Sequence, residues 1–516
     1  MSRPGRIRHS RRSLALLVAL LLALFAAACG DDSDDTTGQD GGETTEAPGT
    51  TEPEGEPKPG GVVTMGMYTE TRGLDPVVAQ GGGTGGLTEM AAIYGTLMRY
   101  NPDTREYEPY MAESLEPNAD FTEWTLKLRP NVKFSDGTDY DAEAVVFGMK
   151  RHVEKGSTIA GLMSAISDYE IVDSLTIKLT LSEPWAGFPY VLANAGGLIP
   201  SKAAVEAACP DPAQPARDCS FNLEPVGAGP FVLESFKPKD SITMRRNETY
   251  WAGPVPLEGL RFVTLPGASV TYESLKTDQL QVGFLREAEA TTAAKDEGEV
   301  ETYSNMQGLG GLALFNHTPG KITADVRVRQ AVAAALNQDV MNERRNNGLG
   351  HPGSAIFIDG PLATDPTSEY DPERAKQLVE EVKRDTGWDG TISITCLQEQ
   401  PSGQAFVQAL QAMLNAVGMN AQQRLMPSTE YVQSVQINRD FEIACWGFNT
   451  SAESPEASLS RHVLSKAGGN VAGNAMGLEN AEIDGFIKAM RSAKSEAEMQ
   501  AALDGLTKVW AEVQPA

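Results

Sequence analysis

Few residues in this chain have the types and spacing that chemistry demands. His152, His317, His351 and His462 are scattered, with no second ligand at metal-binding spacing. Five cysteines occur, at Cys29, Cys209, Cys219, Cys396 and Cys445; none forms a CxxC pair. There is no Gly-x-Ser-x-Gly elbow and no close Cys/His pair to make a nucleophile. Two glycine-rich loops invite a phosphate reading and fail it. Gln80–Gly86 (QGGGTGG) lacks the Lys-Ser/Thr of a phosphate loop, and Gln307–Gly311 (QGLGG) runs toward a strand rather than a helix N-terminus. The expectation is a protein without catalytic residues, metal or cofactor.

The cysteines carry more. With Cys29 set aside, four remain, which fits two disulfides in an oxidising compartment, although three pairings are possible. Cys209 and Cys219 bracket the Pro-rich PDPAQPARD, which favours a local bridge. Cys396 and Cys445 fall near the ends of two predicted strands that would be neighbours in an α/β lobe, which favours the second.

Cys29 stands on a boundary. Arg3, Arg6, Arg8, Arg11 and Arg12 precede an apolar run from Leu14 to Ala28, the layout of a secretory signal. The run is about 15 residues, short of the roughly 20 that span a bilayer. Phe25-Ala26-Ala27-Ala28-Cys29-Gly30 resembles a bacterial lipobox, in which the cysteine is lipidated and becomes the new N-terminus. Asp31–Pro59 is acidic, rich in Gly, Pro and Thr, and nearly devoid of apolar side chains, so it cannot build a core. The reading is residues 1–28 as lipoprotein signal, 29–59 as disordered tether, and a body from Gly60. Net charge is −27 over 516 residues, and the first 28 hold five arginines and no acid, so the body is more acidic still. Such a surface repels nucleic acid and anionic headgroups, which leaves the lipid as the membrane contact.

The body divides in grammar. Trp124–Arg129 alternates apolar and polar, a half-buried strand, and strands are predicted over Gly60–Glu70, Ser174–Leu181, Phe231–Phe236, Ser241–Arg245 and Gly259–Val263. A helix is predicted over Leu87–Met98 and another from Asp141 to about His152, with Asp141 or Thr138 as its cap. From about Ser274 strands and helices alternate: Leu312–Asn316, Thr391–Leu397, Ala421–Leu425 and Phe441–Trp446 read as strands, with helices between. This is an α/β fold of two lobes, 60–273 and 274–484, with mixed sheets and a cleft between them.

Several stretches now fall in one family's order. Ala112–Arg151 (AESLEPNADFTEWTLKLRPNVKFSDGTDYDAEAVVFGMKR), Leu74-Asp75-Pro76, Val226–Trp251 with its Asn-x-x-Tyr-Trp turn, Asp325–Met341, Tyr370–Val379 and Phe441–Asn449 resemble the extracellular solute-binding proteins of family 5. These are the oligopeptide/dipeptide/nickel-type receptors of ABC importers. The resemblance implies a type II periplasmic-binding-protein fold, a monomer, and capture of a small solute between the lobes for a membrane permease. It implies a place on the extracytoplasmic face of a bacterial membrane. A peptide or peptide-like ligand is expected, with an oligosaccharide or metal chelate as the alternative. A lipid-anchored sensor or interaction protein reusing the fold is the competing reading.

The resemblance also implies site residues. Trp446 and Gly447 fall on the family's cleft strand, and Asn449 stands where peptide-binding relatives carry an aspartate for the ligand's ammonium. Asn449 brings an acceptor but no charge, which argues against a free amino terminus. Tyr68, Thr69 and Glu70 follow the first strand and should face the cleft, with Gln307 and Glu399 facing it from the other lobe. Finally, the family's chain continues past a helix like Ala501–Ala516 into strands that rejoin the first lobe. The expectation is a return segment over 485–516 that is cut short, leaving the first lobe looser.

Overall fold

The computed structural model describes residues 59–516 apart from 68–69, 79–85, 286, 305–307, 359, 361, 399–400, 452 and 471–473. The first lobe opens with β1 (Val62–Met67), β2 (Met98–Asn101), β3 (Glu106–Pro109), β4 (Ala112–Pro117) and β5 (Glu123–Leu128). It continues through β6 (Ile166–Asp173), β7 (Thr176–Leu181), β8 (Phe231–Lys237), β9 (Ser241–Arg246), β10 (Gly259–Thr264) and β11 (Val282–Gly283). The second holds β12 (Leu312–Phe315), β13 (Thr391–Leu397), β14 (Asn420–Met426) and β15 (Ile443–Trp446).

Two sheets dominate the first lobe. One has order β4-β5-β7-β6, antiparallel throughout. In β5, Trp124, Leu126 and Leu128 are buried while Thr125 and Lys127 are exposed, so one face meets the core and the other meets water. The helix Ala142–Glu154 follows, its N-terminus closed by Asp141 Oδ1 accepting from the Ala144 N–H at 3.0 Å. The other sheet has order β11-β1-β10-β9-β8, with β1 parallel to both β10 and β11.

The second lobe is built on one mixed sheet, β12-β15-β13-β14, in which β12 is buried on both faces while the edge strand β14 buries only Ala421 and Met426. Consecutive residues of β12 enter different cores. Leu312 and Leu314 join Ala444, Leu506 and Trp510 on one side, and Ala313 and Phe315 join Ile394, Cys396 and Leu410 on the other.

Three sequence expectations need correction. The helix predicted over Leu87–Met98 ends at Tyr94, because Gly95 adopts φ 65° and Met98 starts β2. A Cβ at Gly95 would also lie 2.8 Å from Met111. The boundary expected at 273 comes too early. β11 pairs with β1, and the helices Ala268–Lys276 and Ala288–Glu297 pack on each other through Ala268, Tyr272, Ala290 and Ala294 beside that sheet. A two-residue strand gives no periodic signal to read.

The return of 485–516 to the first lobe is the third. The helices Ala481–Ser492 and Glu496–Val513 place Ile483, Ile487, Met490, Leu503 and Trp510 in the second lobe's core. Arg329 fixes that end: its Nε donates to the carbonyls of Val513 and Gln514 at 2.9 and 3.1 Å, and its Nη1 to those of Thr323 and Ala324. Apolar stripes on both helices match the sheet they cover, and a cation at the last carbonyls closes the final turn.

Candidate functional site

Strand direction decides where a ligand can be met. β13, β14 and β15 run parallel, so their carboxyl ends, Leu397, Met426 and Trp446, lie at one edge of the second sheet. β12 is antiparallel to β15 with Leu312 opposite Trp446, so its beginning lies at the same edge. Gly308 bridges Thr450 there. Segments that the sequence places 140 residues apart therefore converge. In open α/β sheets this carboxyl edge is where ligands bind.

Each side chain at that edge has a physical support. Trp446 is half-buried and stacks on Tyr431, ring centroids 5.6 Å apart and planes 28° off parallel. Tyr431 is locked in turn by its hydroxyl, which donates to the Cys445 carbonyl, and burial pushes its phenol up from the ordinary value. Gly447 has to be glycine: a Cβ would stand 2.4 Å from the carbonyl oxygen of Gly310, two residues before β12. Phe448 turns inward, stacked on His462 at 4.3 Å, and burial lowers that imidazole to about 3. Asn449 sits at φ 50°, exposed, a left-handed turn that aspects of Asn chemistry tolerate better than most residues. The result is a half-buried indole and an exposed neutral amide on a stiff base.

A disulfide stiffens the base further. Cys396 on β13 and Cys445 on β15 are joined, Cα atoms 5.0 Å apart, one residue before Trp446. Cys209 and Cys219 are joined with Cα atoms 5.4 Å apart, in the first lobe.

The first lobe offers a matching edge at the carboxyl ends of β1 and β10. Glu70 is exposed there and borders a shallow depression with Thr71, Lys237, Lys239 and Thr264. Behind it Thr71 Oγ1 donates to Glu89 Oε1. Glu89 is fully buried, its Oε2 lacks a hydrogen-bond partner, and burial raises its carboxyl pKa.

Of the residues expected from sequence, Trp446, Gly447 and Asn449 gather at the second lobe's edge and Glu70 at the first lobe's. Tyr68, Thr69, Gln307, Glu399 and Cys29 lie outside the described residues. Sequence reasoning missed Tyr431, Arg345 and Glu89. The Arg345 guanidinium packs beside Gly311 at the start of β12 and lies 5.2 Å over the Phe406 ring. Arg345 ends the helix Gln338–Asn346, and nothing local in Arg344-Arg345 tells which of the two turns inward. Among the described residues no group of three or more His, Cys, Asp or Glu stands where it could hold a metal ion. No described helix is long and apolar enough to cross a membrane.

Residues 106–470 match the family model of bacterial extracellular solute-binding proteins, family 5. The chain is 26% identical over 357 residues to the dipeptide-binding protein of Escherichia coli K12, covering 64% of this chain and 65% of that protein. It is 25% identical over 332 residues to the glutathione-binding protein of the same organism, covering 63% and 62%. The matches thus span less than two thirds of these curated relatives' length. Among solved structures, a dipeptide-binding protein from Pseudoalteromonas sp. SM9913 in complex with Met-Leu superposes with a TM-score of 0.76 at 18% identity, covering 88% of this chain and 93% of that one. A binding protein from Agrobacterium tumefaciens R10 in complex with agropinic acid gives 0.74 at 23%, covering 88% and 90%. These likenesses establish the fold, that of type II periplasmic binding proteins.

Proposed function

The chain belongs to the bacterial extracellular solute-binding proteins of family 5, and from that premise we propose that it is the solute-capturing component of an ABC importer. It binds a small peptide-like compound between its lobes and hands it to a membrane permease. Proteins of this family bind rather than catalyse, and no residue here is assigned a catalytic role.

One observation carries the reading. At the carboxyl edge of the second sheet, Trp446 is half-buried on a Tyr431 that is itself buried and locked by its hydroxyl, and Asn449 is exposed three residues on. A receptor needs that combination, since a preorganised surface loses little entropy when it binds. Trp446 offers an indole face for stacking, and Asn449 offers a neutral donor and acceptor. The neutral amide favours a solute whose amino group is substituted or cyclised over one with a free ammonium.

The anchor belongs to the same proposal. Lipidated Cys29 on the acidic stretch 31–59 would hold a monomeric body beside the permease on the extracytoplasmic face, without embedding it. Cys29→Ser then releases the protein from sedimented membranes; retention of the variant refutes the anchor.

A thermal-shift screen tests the binding reading. The panel holds free and N-acetylated di- to tetrapeptides, opine-like acids, oligosaccharides and metal chelates. A solute bound by the folded state raises the melting temperature with concentration. Trp446→Ala should abolish that shift while keeping the melting point of the free protein within a few degrees. A solute whose shift survives Trp446→Ala binds elsewhere and removes the site from the proposal.

A further inference from the structure

Away from the β12–β15 edge, the lobes meet at a place that the transport reading does not use. The turn after β7, residues 182–188, leaves the first lobe and lands on two helices of the second, Pro455–Val463 and Ala481–Ser492. Trp185 is rooted in the first lobe's core beside Trp124 and Phe188, and is 1% exposed. Its indole Nε1 donates to Glu456 Oε1 at 3.1 Å. The same oxygen accepts from Ser454 Oγ at 2.6 Å. Glu456 is also 1% exposed. Next to it the Ala186 N–H donates to the Arg491 carbonyl at 2.8 Å, and the Arg491 guanidinium lies 4.7 Å over the Trp185 ring while its Nη2 donates to Ser460 Oγ. At the rim, Lys488 pairs with Glu183 at 2.5 Å and Lys494 reaches the Ala119 carbonyl at 3.3 Å.

The composition of this joint is unusual for a permanent core. A fixed contact between lobes would be apolar, because burying a carboxylate and a guanidinium costs more than burying leucines. Here the Trp185 indole and the Ala186 N–H find their partners across the seam, Glu456 and Arg491 are held by Ser454 and Ser460 of their own lobe, and the buried Arg491 Nε has no hydrogen-bond partner. Water could take up each of these groups if the seam opened, so opening costs less than it would for an apolar core, and each closure reforms the same bonds.

We propose that Trp185 and Glu456 form a closure latch, positioning residues that hold the two lobes together and so set how long any captured solute is retained. The latch acts on closure and not on solute chemistry, so its failure would leave the transport reading intact.

The test needs no ligand. Spin labels on Asp168→Cys and Gln377→Cys, both exposed and one in each lobe, report the inter-lobe distance in solution. Trp185→Phe keeps the ring and deletes the donor; Glu456→Leu keeps the volume and deletes the acceptor. Each should lower the population at the short distance about tenfold, as expected for loss of one buried hydrogen bond. Lys488→Met, at the rim, should change it less than about threefold. Circular dichroism checks the fold of each variant, and Glu456→Leu decides alone if Trp185→Phe does not fold. Distance distributions unchanged from the parent protein in folded variants overturn the latch.

Discussion

The four-stranded sheet of each lobe solves the same burial problem differently. In β7 of the first lobe, Ile177, Leu179 and Leu181 face the core and Lys178 faces outward between Glu123 and Glu170. In β12 of the second lobe all four residues are buried, and neighbours along the strand serve opposite cores. A sheet covered on one face leaves half its residues free to vary and gives the chain a polar wall. A sheet covered on both faces commits nearly every residue to packing and confines function to its ends. The candidate site obeys that rule, since Trp446 to Asn449 begin where β15 stops.

The contrast breaks most sharply under alanine. Leu314→Ala and Phe315→Ala, adjacent in β12, should each cost about 2–5 kcal/mol, because each opens a cavity in a different core. In β7, Leu179→Ala should cost a similar amount while the adjacent Lys178→Ala stays within about 0.5 kcal/mol. Urea titrations of the four variants compare them. A cheap Leu314 or Phe315 would mean that one face of the second sheet is open.

The disulfides give the next largest difference. Loop-closure entropy predicts about 4 kcal/mol for the 49-residue loop of Cys396–Cys445 and about 3 kcal/mol for the 10-residue loop of Cys209–Cys219. Cys445→Ser should therefore lower the melting temperature more than Cys219→Ser. Peptide maps under non-reducing conditions check the pairing, and free thiols at Cys396 and Cys445 would remove the larger effect.

Acid should then separate the lobes. His152 in the first and His317 and His462 in the second are held neutral by burial, each with its pKa lowered to about 3. Unfolded histidine titrates near about 6.5, so the unfolded chain binds more protons between those values. The stabilisation is complete above about 6.5 and is lost as pH falls toward 3, at up to about 1.4 kcal/mol per unit for each histidine. With two histidines against one, the second lobe should weaken faster below pH 6.5. Hydrogen exchange at pH 7 and pH 5, with pH-corrected rates, reads each lobe separately; equal losses would contradict the assignment.

The smallest effect belongs to the rim. Lys488–Glu183 is about two-fifths exposed at each end, and Lys488→Met should change stability by no more than about 1 kcal/mol. A larger loss would mean that the seam is drier than its exposure implies.

How much of this could be read from sequence follows the same contrast. The alternation in Trp124–Leu128 announces a half-covered strand, and the short apolar runs of the second lobe mark β12, β13 and β15 to within a residue or two. The hairpin of β2 and β3 was missed because MRYN and EYEP are short and mostly polar, with only Met98 fully buried, and carry no period. The end of the helix at Tyr94 was missed because the apolar pattern runs on past Gly95. Trp446, Gly447 and Asn449 lie within one short stretch, so the family resemblance singles them out together. The latch was not: Trp185 and Glu456 are 271 residues apart, and neither has a local pattern that names the other. Glu89 reads as an ordinary helix-surface acid until its burial is seen.

The central claim is that both lobes grip one solute. Hydrogen exchange with and without the solute found by the thermal-shift panel tests it most directly. The account predicts slowed exchange in residues 66–72 and 446–450 together, with the same concentration dependence. Protection confined to one lobe, or none at either edge while the solute is bound, would contradict it.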